Sequence, residues 1–71
     1  MSNRADPERI YQARRAANVN RLIQEEHLLP ERAASLVAAW EAEGKRLGLD
    51  RLSDDFWTAG REWIEEQRQR R

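Results

Sequence analysis

The chain has 71 residues, enough for one small domain, and no cysteine, which excludes disulfides and thiolate metal sites. Thirteen basic side chains balance thirteen acidic ones, and this neutrality argues against a protein whose affinity rests on neutralising phosphates. A domain of this size buries only about 60% of its unfolded surface, so the three tryptophans must supply much of the core.

Although 37% of the residues are charged, a composition shared with disordered chains, the apolar residues fall at helical spacing and a folded domain is expected. Lys45 is the single lysine among many arginines, and Ala and Glu are abundant. That usage suits a GC-rich bacterial or phage gene. The opening MSNRADPERI lacks the apolar centre of a signal peptide, and no apolar run approaches the length of a membrane span. A cytoplasmic protein is the expectation.

In chain order, residues 1–5 read as a frayed lead-in. Asp6-Pro7-Glu8 then starts a helix: Asp6 caps it, Pro7 takes the first turn, and Glu8 meets the positive end of the dipole. This helix is expected over 7–27. Its apolar face is read as Ile10, Ala13, Ala16, Ala17, Val19 and Ile23, with Tyr11 and Leu22 on the flank and Arg14, Asn18, Arg21 and Glu25 opposite. His27-Leu28-Leu29 is a connector too short for anything but an antiparallel or steeply crossing helix pair, with both leucines expected to plug the end of the bundle.

A second helix is expected over 30–47, opened by Pro30 and closed by Gly48, which suits a left-handed C-terminal position. Its apolar stripe is Ala33, Leu36, Val37, Trp40, Gly44 and Leu47. After a connector over 49–52, Ser53 caps a third helix over 54–69, with Asp54 and Asp55 in its first turn. Phe56, Gly60, Trp63 and Ile64 form its buried arc, and Trp57 stands at the edge. Gly60 costs about 1 kcal/mol relative to Ala inside a helix, so another helix or a Trp ring is expected to come close there. Glu66 with Arg70 and Glu65 with Arg68 are spaced as helical ion pairs.

These elements predict an all-α three-helix bundle forming a single domain, 1–71. Its expected core is Ile10, Ala13, Ala17, Ile23, Leu36, Val37, Trp40, Leu47, Phe56, Trp63 and Ile64.

Few groups are equipped for catalysis. The hydroxyls are Ser2, Ser35, Ser53 and Thr58, and the one histidine, His27, falls at a helix end where a dipole or surface role suffices. Glu25, Glu26, His27 and Glu31 could be imagined around a metal, but neighbouring helical residues point apart. No phosphate-binding, dinucleotide or zinc-protease motif is present. The expectation is a non-enzyme with no cofactor, no metal and no small-molecule substrate.

Protein–protein contact is the expected function, with self-association as a homodimer the first form of it. Ala34, Ala38 and Ala42 make a smooth ridge on the second helix, able to receive another helix; alanine's helix propensity explains the same residues equally well. Trp57 is the second interface candidate, or else a third core aromatic. The alternative is a small DNA-associated regulator using Arg14, Arg15, Asn18 and Arg21. Against it, Asp54 and Asp55 open the third helix and would repel phosphate. Membrane binding is not expected, since a mostly Ala face on the first helix gains little from insertion.

Overall fold

A computed structural model describes residues 6–70. The lead-in expected at 1–5 lies outside the described residues. Three helices follow in order: α1 (Pro7–Glu26), α2 (Pro30–Arg46) and α3 (Asp54–Gln69), forming the expected three-helix bundle.

The helix ends follow from local chemistry. The Asp6 carboxylate accepts the Glu8 N–H at 3.1 Å, and the Ser53 hydroxyl accepts the Phe56 N–H at 3.3 Å. Each satisfies a donor that the first turn of a helix leaves free. Proline opens α1 and α2. At the end of α2, Gly48 takes φ 77° while Gly48 and Leu49 donate to the carbonyls of Lys45 and Gly44, both at 3.0 Å; this paired closure requires a left-handed residue. The end of α1 uses His27 in the same way, at φ 59°. Both His27 and Leu28 direct their N–H groups to the Leu22 carbonyl.

α2 is the shared partner. Its backbone comes close to both α1 and α3, while those two meet only through side chains. Early α1 meets late α2 where Tyr11 and Arg15 reach Glu41. Late α2 meets early α3 where Gly44 lies under Phe56. α1 and α3 therefore run parallel, and salt bridges tie them at both ends: Arg14 to Asp54 at 2.6 Å and Arg68 to Glu26 at 2.7 Å. The shape is elongated, 50 × 27 × 16 Å, with a radius of gyration of 13.0 Å against about 11 Å for a spherical chain of this length.

The core consists of Tyr11, Leu22, Ala33, Val37, Trp40, Phe56, Trp57 and Ile64. α2 and α3 present the expected faces, and Gly60 sits beneath the Trp40 ring as anticipated. α1 does not. Ile10 is 42% exposed, and Ala13 and Ala17 are also on the solvent side. Tyr11 and Leu22 point inward instead, with Val19 and Ile23 packed beside them. The physical reason is weight: one Tyr and one Leu bury more apolar area than a row of alanines. The turn of the helix also brings the Arg14 side to α3, where Asp54 receives it.

Two other expectations fail at the ends of elements, and a third inside α3 holds only in part. Leu47 is 53% exposed, because α2 has already ended and its residue serves as the C-terminal cap. Leu28 is partly buried against the core but Leu29 is 69% exposed, as the N-cap of α2 it points away from the bundle. Trp63 is half-buried, its ring tilted against that of Trp40 with centroids 5.8 Å apart.

Candidate functional site

Two surfaces stand out, one a helix face and the other a cavity. The helix face is the outward side of α2. Ala38 and Ala42 are exposed and Ala34 is half-buried, and Ser35 and Ala39 widen the same small-residue surface. α1 does not cover it. Its two ends carry opposite charge: Glu31 near the N-terminus and Lys45 with Arg46 in the last turn. Among the described residues Glu31 and Lys45 have no ion-pair partner, whereas Arg46 grips Glu43 at 2.5 Å. Arg46 holds the Glu43 carboxyl below its usual range through that hydrogen bond.

Trp57 does not belong to this face. It is 8% exposed and lies between Tyr11, at a centroid distance of 5.6 Å, and Phe56, at 5.0 Å. The first turn of α3 sits over the seam between the other helices, so Phe56 turns to α2 and the next residue, Trp57, turns to α1. Trp57 is thus core, not an interface anchor.

The four residues considered for DNA contact line the side of α1 nearest the bundle. Arg14 is bound to Asp54, and Arg15 donates from Nε to Glu41 at 3.0 Å. Asn18 donates to the Arg14 carbonyl at 2.8 Å and accepts from Arg21 at 3.2 Å. The arginine stripe is therefore largely a seam between helices rather than a free cationic face.

Of the residues weighed for a metal, Glu26 is held by Arg68 and His27 forms the α1 cap. Among the described residues no three His, Asp or Glu side chains cluster as a metal site would require. Nor is any described helix long and apolar enough to cross a membrane.

The cavity, about 620 Å³, opens between the start of α1, the end of α2 and the α2–α3 connector. Its lining includes Tyr11, Arg15, Glu41, Lys45, Leu49 and Arg51, with Phe56 behind them. The Tyr11 hydroxyl donates to Glu41 Oε2 while Arg15 donates to Glu41 Oε1, so both carboxylate oxygens are engaged. Arg51 lies over the Tyr11 ring, 4.3 Å from its centroid in a cation–π geometry, and reaches Glu8 at 2.5 Å. Gln12 and Arg51 together hold the Glu8 carboxyl below its usual range. Burial, followed by the Glu41 contact, pushes the Tyr11 hydroxyl up to about 12.

Sequence reasoning missed this cavity. Tyr11 was a lone aromatic at the flank of an alanine face, and nothing in residue spacing joins it to Arg51 across 40 residues. A broader depression of about 1020 Å³ runs along α3, with Leu47, Leu49, Ala59 and Trp63 among its lining, and is open to solvent. No family model, curated protein or solved structure matches this chain.

Proposed function

We propose that this protein is a non-catalytic interaction module that pairs with a second copy of itself through the outward face of α2. The observation that carries the reading is the charge order along that face. Glu31 and Lys45 stand at equal distances before and after Ala38 in the sequence, about 10 Å to either side along the helix axis. A twofold axis at Ala38 crosses two copies of α2 antiparallel. It sets Glu31 of each copy opposite Lys45 of the other and Ala34 opposite Ala42. Moving the axis by half a residue sets Glu31 opposite Arg46, so the electrostatic match tolerates small shifts in register.

Small side chains let the two backbones approach closely, and the antiparallel dipoles add to the match. A single helix pair of this length falls below the ~1,200 Å² lower bound of stable interfaces. The dimer is accordingly weak and forms with rising concentration. The engagement of Arg14 and Arg15 by carboxylates leaves the DNA-regulator alternative with less free cationic surface than its sequence suggested.

Solution mass by light scattering across a concentration series tests the proposal. Wild type should move from monomer toward dimer. Ala38→Glu, at an exposed position, should stay folded and monomeric. Glu31→Lys and Lys45→Glu should each weaken the dimer, and the double exchange should restore it. A strict monomer at every concentration, or a dimer untouched by these changes, would overturn the proposal. Duplex DNA added at low salt tests the alternative: tight binding that falls steeply with salt would support it.

A further inference from the structure

We propose that the cavity at the α2–α3 connector binds a small organic anion with a flat apolar body. Its volume of about 620 Å³ falls within the ~300–1,000 Å³ typical of small-ligand sites. Of the three cations that line it, Arg15 is paired with Glu41 and Arg51 with Glu8, so Lys45 carries the uncompensated positive charge. The Glu41 carboxylate already accepts from Tyr11 and Arg15, so it is charge-compensated within the chain. Lys45 has no ion-pair partner among the described residues, and Arg51 is held in place over the Tyr11 ring and against Glu8.

The end of α2 would ordinarily discourage an anion, since carbonyl oxygens point from it. Here the carbonyls of Glu43, Gly44 and Lys45 accept from Leu47, Leu49 and Gly48, which quiets the last turn. Leu49, 40% exposed, provides an apolar wall, and the buried rings of Tyr11 and Phe56 give the cavity a rigid back. Gly48 keeps the rim low, for it carries no side chain and nothing lies within 4 Å of where one would project. A carboxylate or phosphate placed toward Lys45 and Arg51 leaves the ligand's planar portion against Leu49.

The test follows the backbone amide signals of Gly48, Leu49 and Arg51 by NMR during titration with phenyl phosphate. Inorganic phosphate and benzyl alcohol serve as separate halves of that probe. Because Lys45 also takes part in the proposed dimer, the titration is run at a concentration where light scattering reads the monomer mass. Saturable shifts confined to the cavity rim are expected, with phenyl phosphate binding at least tenfold more tightly than either half. Leu49→Glu, which puts a carboxylate on the exposed wall, should reduce affinity at least tenfold, and Lys45→Gln several-fold. Both substitutions are on exposed positions, and an unchanged spectrum elsewhere verifies the fold. Equal binding of inorganic phosphate would reduce the site to a charge patch, and equal binding of benzyl alcohol to an apolar one. Either result, shifts scattered over the surface, no saturable shift, or unaltered affinity in the variants would overturn the proposal.

Discussion

The Trp40 indole occupies the space in which Gly60 would otherwise carry a side chain. A Cβ built on Gly60 falls 2.6 Å from Trp40 Cδ1 and 2.8 Å from Cε2, and closer still to Nε1. Gly44 stands in the same relation to Phe56, whose Cε1 lies 2.5 Å from the would-be Cβ. Two glycines, one on each helix, thus let α2 and α3 interlock, each receiving an aromatic ring from the other. Both rings are buried, so neither can swing aside.

Gly60→Ala is therefore expected to destabilise the fold despite alanine's higher helix propensity. Overpacking costs about 1–3 kcal/mol, while the propensity gain returns about 1 kcal/mol. Urea unfolding should show a net loss at Gly60 and at Gly44, whereas glycine-to-alanine exchange at an exposed helix-interior site would gain about 1 kcal/mol. Gly60→Ala with unchanged or increased stability would show that α2 and α3 are less tightly interlocked.

Trp57 separates a core role from an interface role. As a buried residue between Tyr11 and Phe56, its truncation to alanine should cost about 3–5 kcal/mol, comparable with the whole stability of a domain this small. Trp57→Ala should then lose helical circular dichroism at temperatures where wild type is folded. A folded Trp57→Ala variant altered only in its state of association would return Trp57 to the surface.

How far this was legible in the sequence differs by helix. α2 and α3 have their large apolar residues and their glycines on one arc, so periodicity alone identifies the buried side. In α1 half of the periodic residues are alanines. Alanine satisfies an apolar pattern but contributes little burial, and the two heavy residues, Tyr11 and Leu22, lie off that pattern. Helix starts were readable because Asp6, Pro7, Pro30 and Ser53 act on the adjacent turn. The cavity was not readable, since it joins residues of α1, α2 and the connector that only the packing brings together.

The Tyr11 hydroxyl offers a clean pH probe, because Tyr11 is the only tyrosine. Its folded value of about 12 exceeds the ordinary 10.0, first because burial disfavours the phenolate and then because Glu41 accepts the hydroxyl hydrogen. A raised folded value means that the unfolded chain loses this proton first as pH rises. The stabilisation is complete below about pH 10 and is lost progressively toward pH 12. Tyrosinate absorbance should thus appear late in the native protein and earlier in urea. Tyr11→Phe should abolish this component of the alkaline transition, at a cost of about 1 kcal/mol at neutral pH from the lost hydrogen bond. Identical tyrosine titrations in native and unfolded protein would refute the buried contact.

His27 carries the one positive φ found at a non-glycine among the described residues. The left-handed conformation costs an L-residue about 1–2 kcal/mol because its Cβ crowds the following carbonyl. The side chain is exposed, so replacing it sacrifices little packing. Glycine removes the clash while retaining the turn that directs the His27 and Leu28 N–H groups to the Leu22 carbonyl. Part of the relief is offset by glycine's greater freedom in the unfolded chain, leaving an expected gain of about 0.5–1 kcal/mol. In a domain of this size that corresponds to a rise of about 3–6 °C in Tm, measurable by differential scanning calorimetry. His27→Ala keeps the Cβ and should give no such rise, so the pair separates backbone relief from loss of the imidazole. Equal gains in both variants would point to the side chain, and a fall in Tm for His27→Gly would mean that the ring itself holds the α1–α2 turn.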